Sequence, residues 1–154
     1  MLDAGDRAAS FELADLSGKR YSLAAVTEHG PVLLAFFKVS CPTCQFTFPF
    51  LQRIAASGGL SVVGISQDSP EATEEFRKRF GLQFLLLLDE LARNYPVSNA
   101  FRITNVPSLF LVEPDGAISF ADKGFSRASL QGLGQRFNAP VFHEGEKTPD
   151  FRPG

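Results

Sequence analysis

Cys41-Pro42-Thr43-Cys44 holds the only two cysteines of this 154-residue chain. Two thiols at this spacing can close to a disulfide and reopen, which is the chemistry of thiol–disulfide exchange. An apolar run, Val32-Leu33-Leu34-Ala35-Phe36-Phe37-Lys38-Val39, lies just ahead of them, and Phe46, Phe50, Leu51 and Ile54 recur at helical spacing behind. The dithiol therefore falls where a strand turns into a helix. Pro42 suits the first helical position, where its missing N–H removes no hydrogen bond. The free N–H groups and the positive end of the helix dipole favour a thiolate at Cys41. That makes Cys41 the expected attacking sulfur and the better leaving group. Cys44, one turn further in, is expected to be more buried and to resolve the mixed disulfide formed at Cys41. A buried structural pair is the alternative on the four residues alone.

The remaining elements must hold this junction in place. Ala9 to Leu13 and Arg20 to Leu23 alternate around Ser17-Gly18, which reads as an N-terminal hairpin. A short helix is expected from Leu23 to Glu28, ended by Gly30-Pro31. Val32–Val39 and Leu60–Ser66 are nearly all apolar, as strands covered on both faces should be. Ser69-Pro70 opens a helix through Phe80, with Ser69 as N-cap and Gly81 closing it. Glu74 with Lys78 and Glu75 with Arg79 are spaced to pair on its outer face. Phe84–Leu88 follows as a third buried strand, then a short helical stretch from Glu90 to Phe101. Ser108–Val112 and Ala117–Ala121 form a second hairpin around Glu113-Pro114-Asp115-Gly116. Ser126–Phe137 closes as a helix, and the segment from Asn138, with three prolines, is expected on the surface and partly mobile. Strands alternating with helices imply a parallel sheet flanked by helices and finished by an antiparallel edge.

Composition narrows the function. Apolar content of 44% and this length suit one globular domain. A net charge of −2 supplies no basic field, so no nucleic-acid partner is expected. No apolar run approaches the roughly 18 residues of a membrane span. Met1 to Asp6 has neither a basic n-region nor an apolar h-region. A cytoplasmic chain is expected, although an exported protein lacking its leader would read the same way.

Further residues carry a family resemblance. Gly5-Asp6-Arg7-Ala8-Ala9-Ser10-Phe11-Glu12-Leu13 and Leu16-Ser17-Gly18-Lys19 make a redoxin-like opening. Phe36-Phe37 leads into the dithiol, Pro49 follows Cys44 by five residues, and Val106-Pro107-Ser108 precedes an apolar strand. From Gly5 to Phe137 the chain resembles the thioredoxin-fold redoxins. These include the alkyl hydroperoxide reductase/thiol-specific antioxidant family and the thioredoxin-like reductases of cytochrome maturation. The resemblance implies an α/β thioredoxin-like fold: a central mixed sheet flanked by helices, an N-terminal β-hairpin and a redoxin-type insertion. It implies one domain over residues 1–137 and a proline-containing tail over 138–154. It further implies a thiol–disulfide oxidoreductase with no cofactor beyond the Cys41–Cys44 disulfide. The expected partners are a protein or small-molecule disulfide substrate and a thiol-donating or thiol-accepting redox partner.

Residue by residue, Cys41 resembles the attacking cysteine, Cys44 the resolving one, and Pro49 the helix-kinking proline. Pro42 and Thr43 lie between the sulfurs. Pro107 resembles the cis-proline that faces the dithiol, with the Val106 N–H and C=O turned toward an extended substrate. On residues alone, Val106-Pro107 reads as a trans proline opening a strand. Two departures stand out. Ala35 occupies the place of a buried aspartate of thioredoxins, and Ser40 that of a tryptophan. Proton handling must then differ, and Asp68, at the end of a neighbouring strand, is the candidate acceptor. Asp68 equally fits a helix cap before Pro70. Lys38 is expected to be solvated rather than to serve the thiolate.

Three other functions compete. In a peroxidase alignment that equates Cys44 with the peroxidatic cysteine, Phe37, Cys41 and Pro107 stand where the activating Pro, Thr and Arg are needed. Preorganised hydrogen bonds to the peroxide would be missing. A Cys₂His₂ zinc site would need His29 and His143, which lack ligand spacing, so no metal is expected. A binding module using Val106-Pro107 alone would leave the dithiol without a purpose.

Overall fold

The computed structural model describes all residues 1–154. In chain order the elements are β1 (Glu12–Asp15), β2 (Arg20–Ser22), α1 (Leu23–Val26), β3 (Val32–Phe37), α2 (Pro42–Ala56) and β4 (Ser61–Ser66). There follow α3 (Pro70–Phe80), β5 (Leu85–Leu88), α4 (Pro96–Ala100), β6 (Ser108–Val112), β7 (Ile118–Lys123), β8 (Phe125–Ser126), α5 (Arg127–Arg136) and β9 (Phe151–Arg152).

β3 is the axis of the molecule. All six of its residues are buried. Because successive side chains point to opposite faces, Leu33, Ala35 and Phe37 enter one core and Val32, Leu34 and Phe36 the other. β3 pairs in parallel with β4, and β4 with β5; β6 joins β3 antiparallel and β7 continues that edge. The β1–β2 hairpin adds to the far edge by antiparallel pairing of β1 with β5. The seven-stranded order is β2-β1-β5-β4-β3-β6-β7, a mixed sheet as the alternating pattern implied. Phenylalanines fasten α2 and α3 to its face: the Phe37 ring lies 4.5 Å from Phe48 and 4.9 Å from Phe76.

Local departures from the sequence reading have local causes. β3 stops at Phe37 because the Val39 N–H turns to the Asp68 carboxylate, 2.8 Å away. The stretch from Glu90 splits into a 3₁₀ turn (Leu91–Arg93) and α4. Tyr95 precedes Pro96, whose ring disfavours a helical residue before it, and Tyr95 takes φ 49° instead. Buried Asp89 then caps α4, accepting from Val97 N and Ser98 N at 3.2 and 2.7 Å. On α3, Glu74 pairs with Arg77 at 2.6 Å and more distantly with Lys78 at 3.8 Å. The Glu75–Arg79 pair does not form; Arg79 stacks on Phe80 instead.

The largest correction concerns residues 138–154, which are neither a separate tail nor loose. Ala139 and Val141 are buried in the main core. Gly134 of α5 makes their approach possible, since a Cβ there would meet Val141 Cγ2 at 2.7 Å. Phe142 packs against Phe50, with ring centroids 5.1 Å apart, and beneath the Arg127 guanidinium. Arg53 of α2 holds the segment twice, donating to Val141 O and gripping both Glu146 carboxylate oxygens at 2.6 and 2.9 Å. β9 then pairs antiparallel with β8. Prolines and charges marked a surface path, and they concealed the apolar residues between them.

The Arg53 hydrogen bond pulls the Glu146 carboxyl down to about 2, with burial opposing. A depressed carboxyl stabilises the fold fully above its unfolded value, about 4.3. That contribution is lost as pH falls toward about 2. Amide protection factors over residues 141–152, corrected for intrinsic exchange at each pH, should therefore fall through this window. In Glu146→Gln the same amides should be less protected at neutral pH and should lose this acid dependence.

Candidate active site

The site begins where β3 ends. Lys38, Val39 and Ser40 turn the chain, and three hydrogen bonds hold the turn. Cys41 N donates to Lys38 O at 3.2 Å, Gln45 Nε2 to Val39 O at 2.8 Å, and Val39 N to Asp68 Oδ2 at 2.8 Å. Cys41 is the N-cap of α2, in extended conformation, with Pro42 opening the helix as expected. Its sulfur does the capping: Cys44 N donates to Cys41 Sγ at 3.1 Å. An anionic sulfur is thus met by a helix N–H and by the positive end of the helix dipole.

The two thiols occupy different surroundings. Cys41 is half-buried and Cys44 has no exposed surface. Cys44 belongs to the core cluster of Ala35, Phe37 and Phe48. Burial pushes the Cys44 thiol far above its ordinary range, and the Cys41 sulfur and the Asp68 charge push it the same way. A hydrogen bond with the Lys38 backbone opposes this shift. Ala35, in the place of the buried aspartate of thioredoxins, leaves the strand side of Cys44 without a carboxylate.

Across from the helix end, the Val106–Pro107 peptide bond is cis. Cys41 Sγ donates to Val106 O at 3.4 Å. The Val106 N–H has no hydrogen-bond partner in the chain. Pro107 is buried, and its carbonyl accepts from Gly124 N at 2.8 Å. Pro49 lies inside α2, so the Gln45 carbonyl lacks its usual helical donor.

Asp68 is not the cap of α3; Ser69 is, accepting from Ala72 N. Its backbone is set by Ser66, whose Oγ accepts from Asp68 N at 3.1 Å and meets Thr73 Oγ1 at 2.6 Å. A cavity of ≈ 540 Å³ lined in part by Gln67, Asp68, Leu91 and Tyr95 opens beside it. The Lys38 side chain is exposed. His29 and His143 are both exposed, and no group of three or more His, Cys, Asp or Glu side chains comes together. No helix is long and apolar enough to cross a membrane.

Sequence reasoning missed one participant. Buried Thr43 donates through Oγ1 to the Pro153 carbonyl at 2.7 Å, so residues 151–154 reach the dithiol. Arg152 covers Phe46 of α2 in the same place. The signal available was Phe151-Arg152, an aromatic and a cation among the prolines, but the Phe46 ring that Arg152 covers is about 100 residues away in sequence.

Comparison with known proteins agrees with this arrangement. Residues 4–121 match the AhpC/TSA family. The methylamine utilization protein MauD of Paracoccus versutus is 30% identical over 131 residues, 85% of this chain. The thiol-disulfide oxidoreductase ResA of Bacillus subtilis is 30% identical over 118 residues, 74% of this chain. The chain spans 64% of the length of each of these two relatives. The thioredoxin domain of a thiol-disulfide oxidoreductase from Bacteroides vulgatus superposes with a TM-score of 0.78 at 22% identity. That match covers 89% of this chain and 99% of the other, and it shows the shared thioredoxin-like fold.

The contrast between the sulfurs has a direct readout. Iodoacetamide should label Cys41 of the reduced protein at least about tenfold faster than Cys44, because reactivity follows thiolate content and access. Mass spectrometry of the alkylated peptides measures both, and unfolding in denaturant should erase the difference. Faster labelling of Cys44 in the folded protein would reverse the assignment.

Proposed function

The chain belongs to the AhpC/TSA family, and from that premise we propose that it is a thiol–disulfide oxidoreductase in which Cys41 attacks and Cys44 resolves. The observation that carries this reading is the pairing of a half-exposed, helix-capping Cys41 sulfur with a fully buried Cys44 one turn behind it. In the reductive direction the Cys41 thiolate attacks one sulfur of a substrate disulfide. That S–S bond breaks, the other substrate sulfur leaves as a thiolate, and a mixed disulfide stands at Cys41. Cys44 then loses its proton and attacks Cys41 Sγ, releasing the second substrate thiolate and closing the Cys41–Cys44 disulfide. Two electrons pass to the substrate, and a thiol-donating partner restores the dithiol. The oxidative direction runs the same bonds backwards. The internal disulfide is the only redox group these steps need.

Val106 and Pro107 form the substrate side in this reading. The carbonyl beside Cys41 and the free Val106 N–H are what an extended segment needs in order to align its sulfur. Pro107 contributes neither N–H nor charge near the thiols. A peroxidase reading is weaker, because the thiol it would use, Cys44, has no surface for a peroxide to reach.

Resolution requires a proton to leave a thiol that burial holds in its neutral form. We assign that proton to Asp68, directly or through water. The Asp68 charge disfavours a Cys44 thiolate; moving the proton onto the carboxylate removes that opposition as the thiolate forms. Val39 N holds Asp68 Oδ2, and the cavity beside Asp68 offers the proton a route to solvent.

Asp68→Asn keeps an acceptor for the Val39 N–H and removes the base. Resolution of a mixed disulfide at pH 7 should slow by roughly tenfold or more, and the rate should rise more steeply with pH than in the parent. Stopped-flow release of a chromogenic thiol measures this step. A lower melting temperature with an unmoved rate–pH profile would mark Asp68 as a purely structural tie for the loop. Failure of Cys41 to form a mixed disulfide with any disulfide reagent would remove the proposed function.

A further inference from the structure

We propose that residues 151–154 are a specificity element: a strap that occupies the Val106 edge of the site and favours small disulfides over extended peptide segments. The inference rests on the exchange reading above and adds to it the choice of substrate. Four contacts place the strap. Phe151 and Arg152 pair antiparallel with Ser126 and Phe125. The Arg152 guanidinium lies over the Phe46 ring, 4.9 Å from its centroid. The Pro153 carbonyl accepts from Thr43, between the two cysteines. Gly154 is packed so closely on Val106 that a Cβ would run into the Val106 carbonyl and stand 3.4 Å from its nitrogen.

The Val106 carbonyl that Gly154 covers is the one that meets Cys41 Sγ. An extended peptide seeking the Val106 backbone must take the same volume. Gly124 couples the two surfaces, donating to Pro107 O while its own Cα faces Arg152 and Gly154. Cys41 itself stays half-exposed, so a disulfide that needs only the sulfur reaches it with the strap in place. The strap is also displaceable. It is held at this end by one two-residue strand pair, one side-chain hydrogen bond, the Arg152 stack on Phe46 and the packing of Gly154, while its charged and hydroxyl anchors, Glu146 on Arg53 and Thr148 on Arg127, lie upstream. A peptide therefore binds only the fraction of molecules with the strap open, and its apparent affinity falls by that fraction.

The test uses the full chain carrying Cys44→Ser, which stops at the mixed disulfide. One sample is loaded with an extended peptide whose single cysteine is activated by an aryl thiol. Cys41 attacks the peptide sulfur, the aryl thiolate leaves, and the peptide remains on Cys41. A second sample is loaded with cystamine, which leaves one cysteamine on Cys41 and releases the other. Amide exchange at Phe151 and Arg152 should speed up at least about tenfold in the peptide adduct and stay at the unloaded rate in the cysteamine adduct. In a second arm, Gly154→Val, whose side chain cannot fit against Val106, should raise peptide capture by roughly tenfold relative to cystamine capture. Equal protection in both adducts, or loss of protection in both, would overturn the strap's role, as would a Gly154→Val variant with an unchanged capture ratio. If neither reagent loads Cys41, the exchange reading itself falls and the strap's role with it.

Discussion

The hydrogen bond from Cys44 N–H to Cys41 Sγ is the point on which the rest of this structure depends. It makes the Cys41 sulfur the cap of its own helix, so the position of the sulfur and the first turn of α2 cannot be chosen separately. The turn before it must deliver Cys41 in an extended conformation, and the ties among Val39, Asp68 and Gln45 achieve that. The turn in turn starts from β3, whose alternate residues are locked into two cores. Interiors packed at crystal-like density resist small displacements. The sheet therefore sets where the sulfur stands, although no sheet residue touches it by hydrogen bond.

The same geometry gives the two cysteines different surroundings. Three residues along a helix turn separate a capping position at the surface from an inward one, and here the inward one faces Phe37, Phe48 and Ala35. A carboxylate in the strand would soften that apolar wall; Ala35 leaves it apolar. The nearest negative charge then comes from the loop after β4, at Asp68, which also holds the cap loop by its other role as acceptor for Val39. One side chain thus links the placement of Cys41 to the protonation of Cys44.

Much of this was legible in the residues. The two-faced apolar run Val32–Phe37, the proline after Cys41 and the Ser69-Pro70 helix start are local signals with local causes, and each element appears within a few residues of its expected place. The site partners that sequence could reach were those with a recognisable motif, such as Val106-Pro107. Asp68 was ambiguous because an aspartate before Ser-Pro serves a cap and a base equally well; the Ser69 hydroxyl, found on Ala72 N, removes the cap. The strap was not legible. Its contacts join Thr43 to Pro153 and Arg53 to Glu146, and no local periodicity in a proline-broken segment reports a partner so distant. The side-chain choice on α3 was also beyond sequence, since Glu74 has two cations within reach and geometry decides for Arg77.

The strap's contact at Thr43 spans 110 residues, among the least local in the chain beside the Gly5 N–H to Ile118 O bond at the other end. Closing such a loop orders much chain for few contacts. A terminal segment held by few contacts is the kind that opens in a sub-global fluctuation leaving the rest of the molecule native. The dithiol end and the Arg53 end of α2 lie about 15 Å apart along the helix, at 1.5 Å per residue. Residues 146–154 bridge both, so the strap can lift from the dithiol end while Glu146 stays on Arg53. Lifting it uncovers the Val106 edge beside Cys41 while the sheet and α2 stay intact.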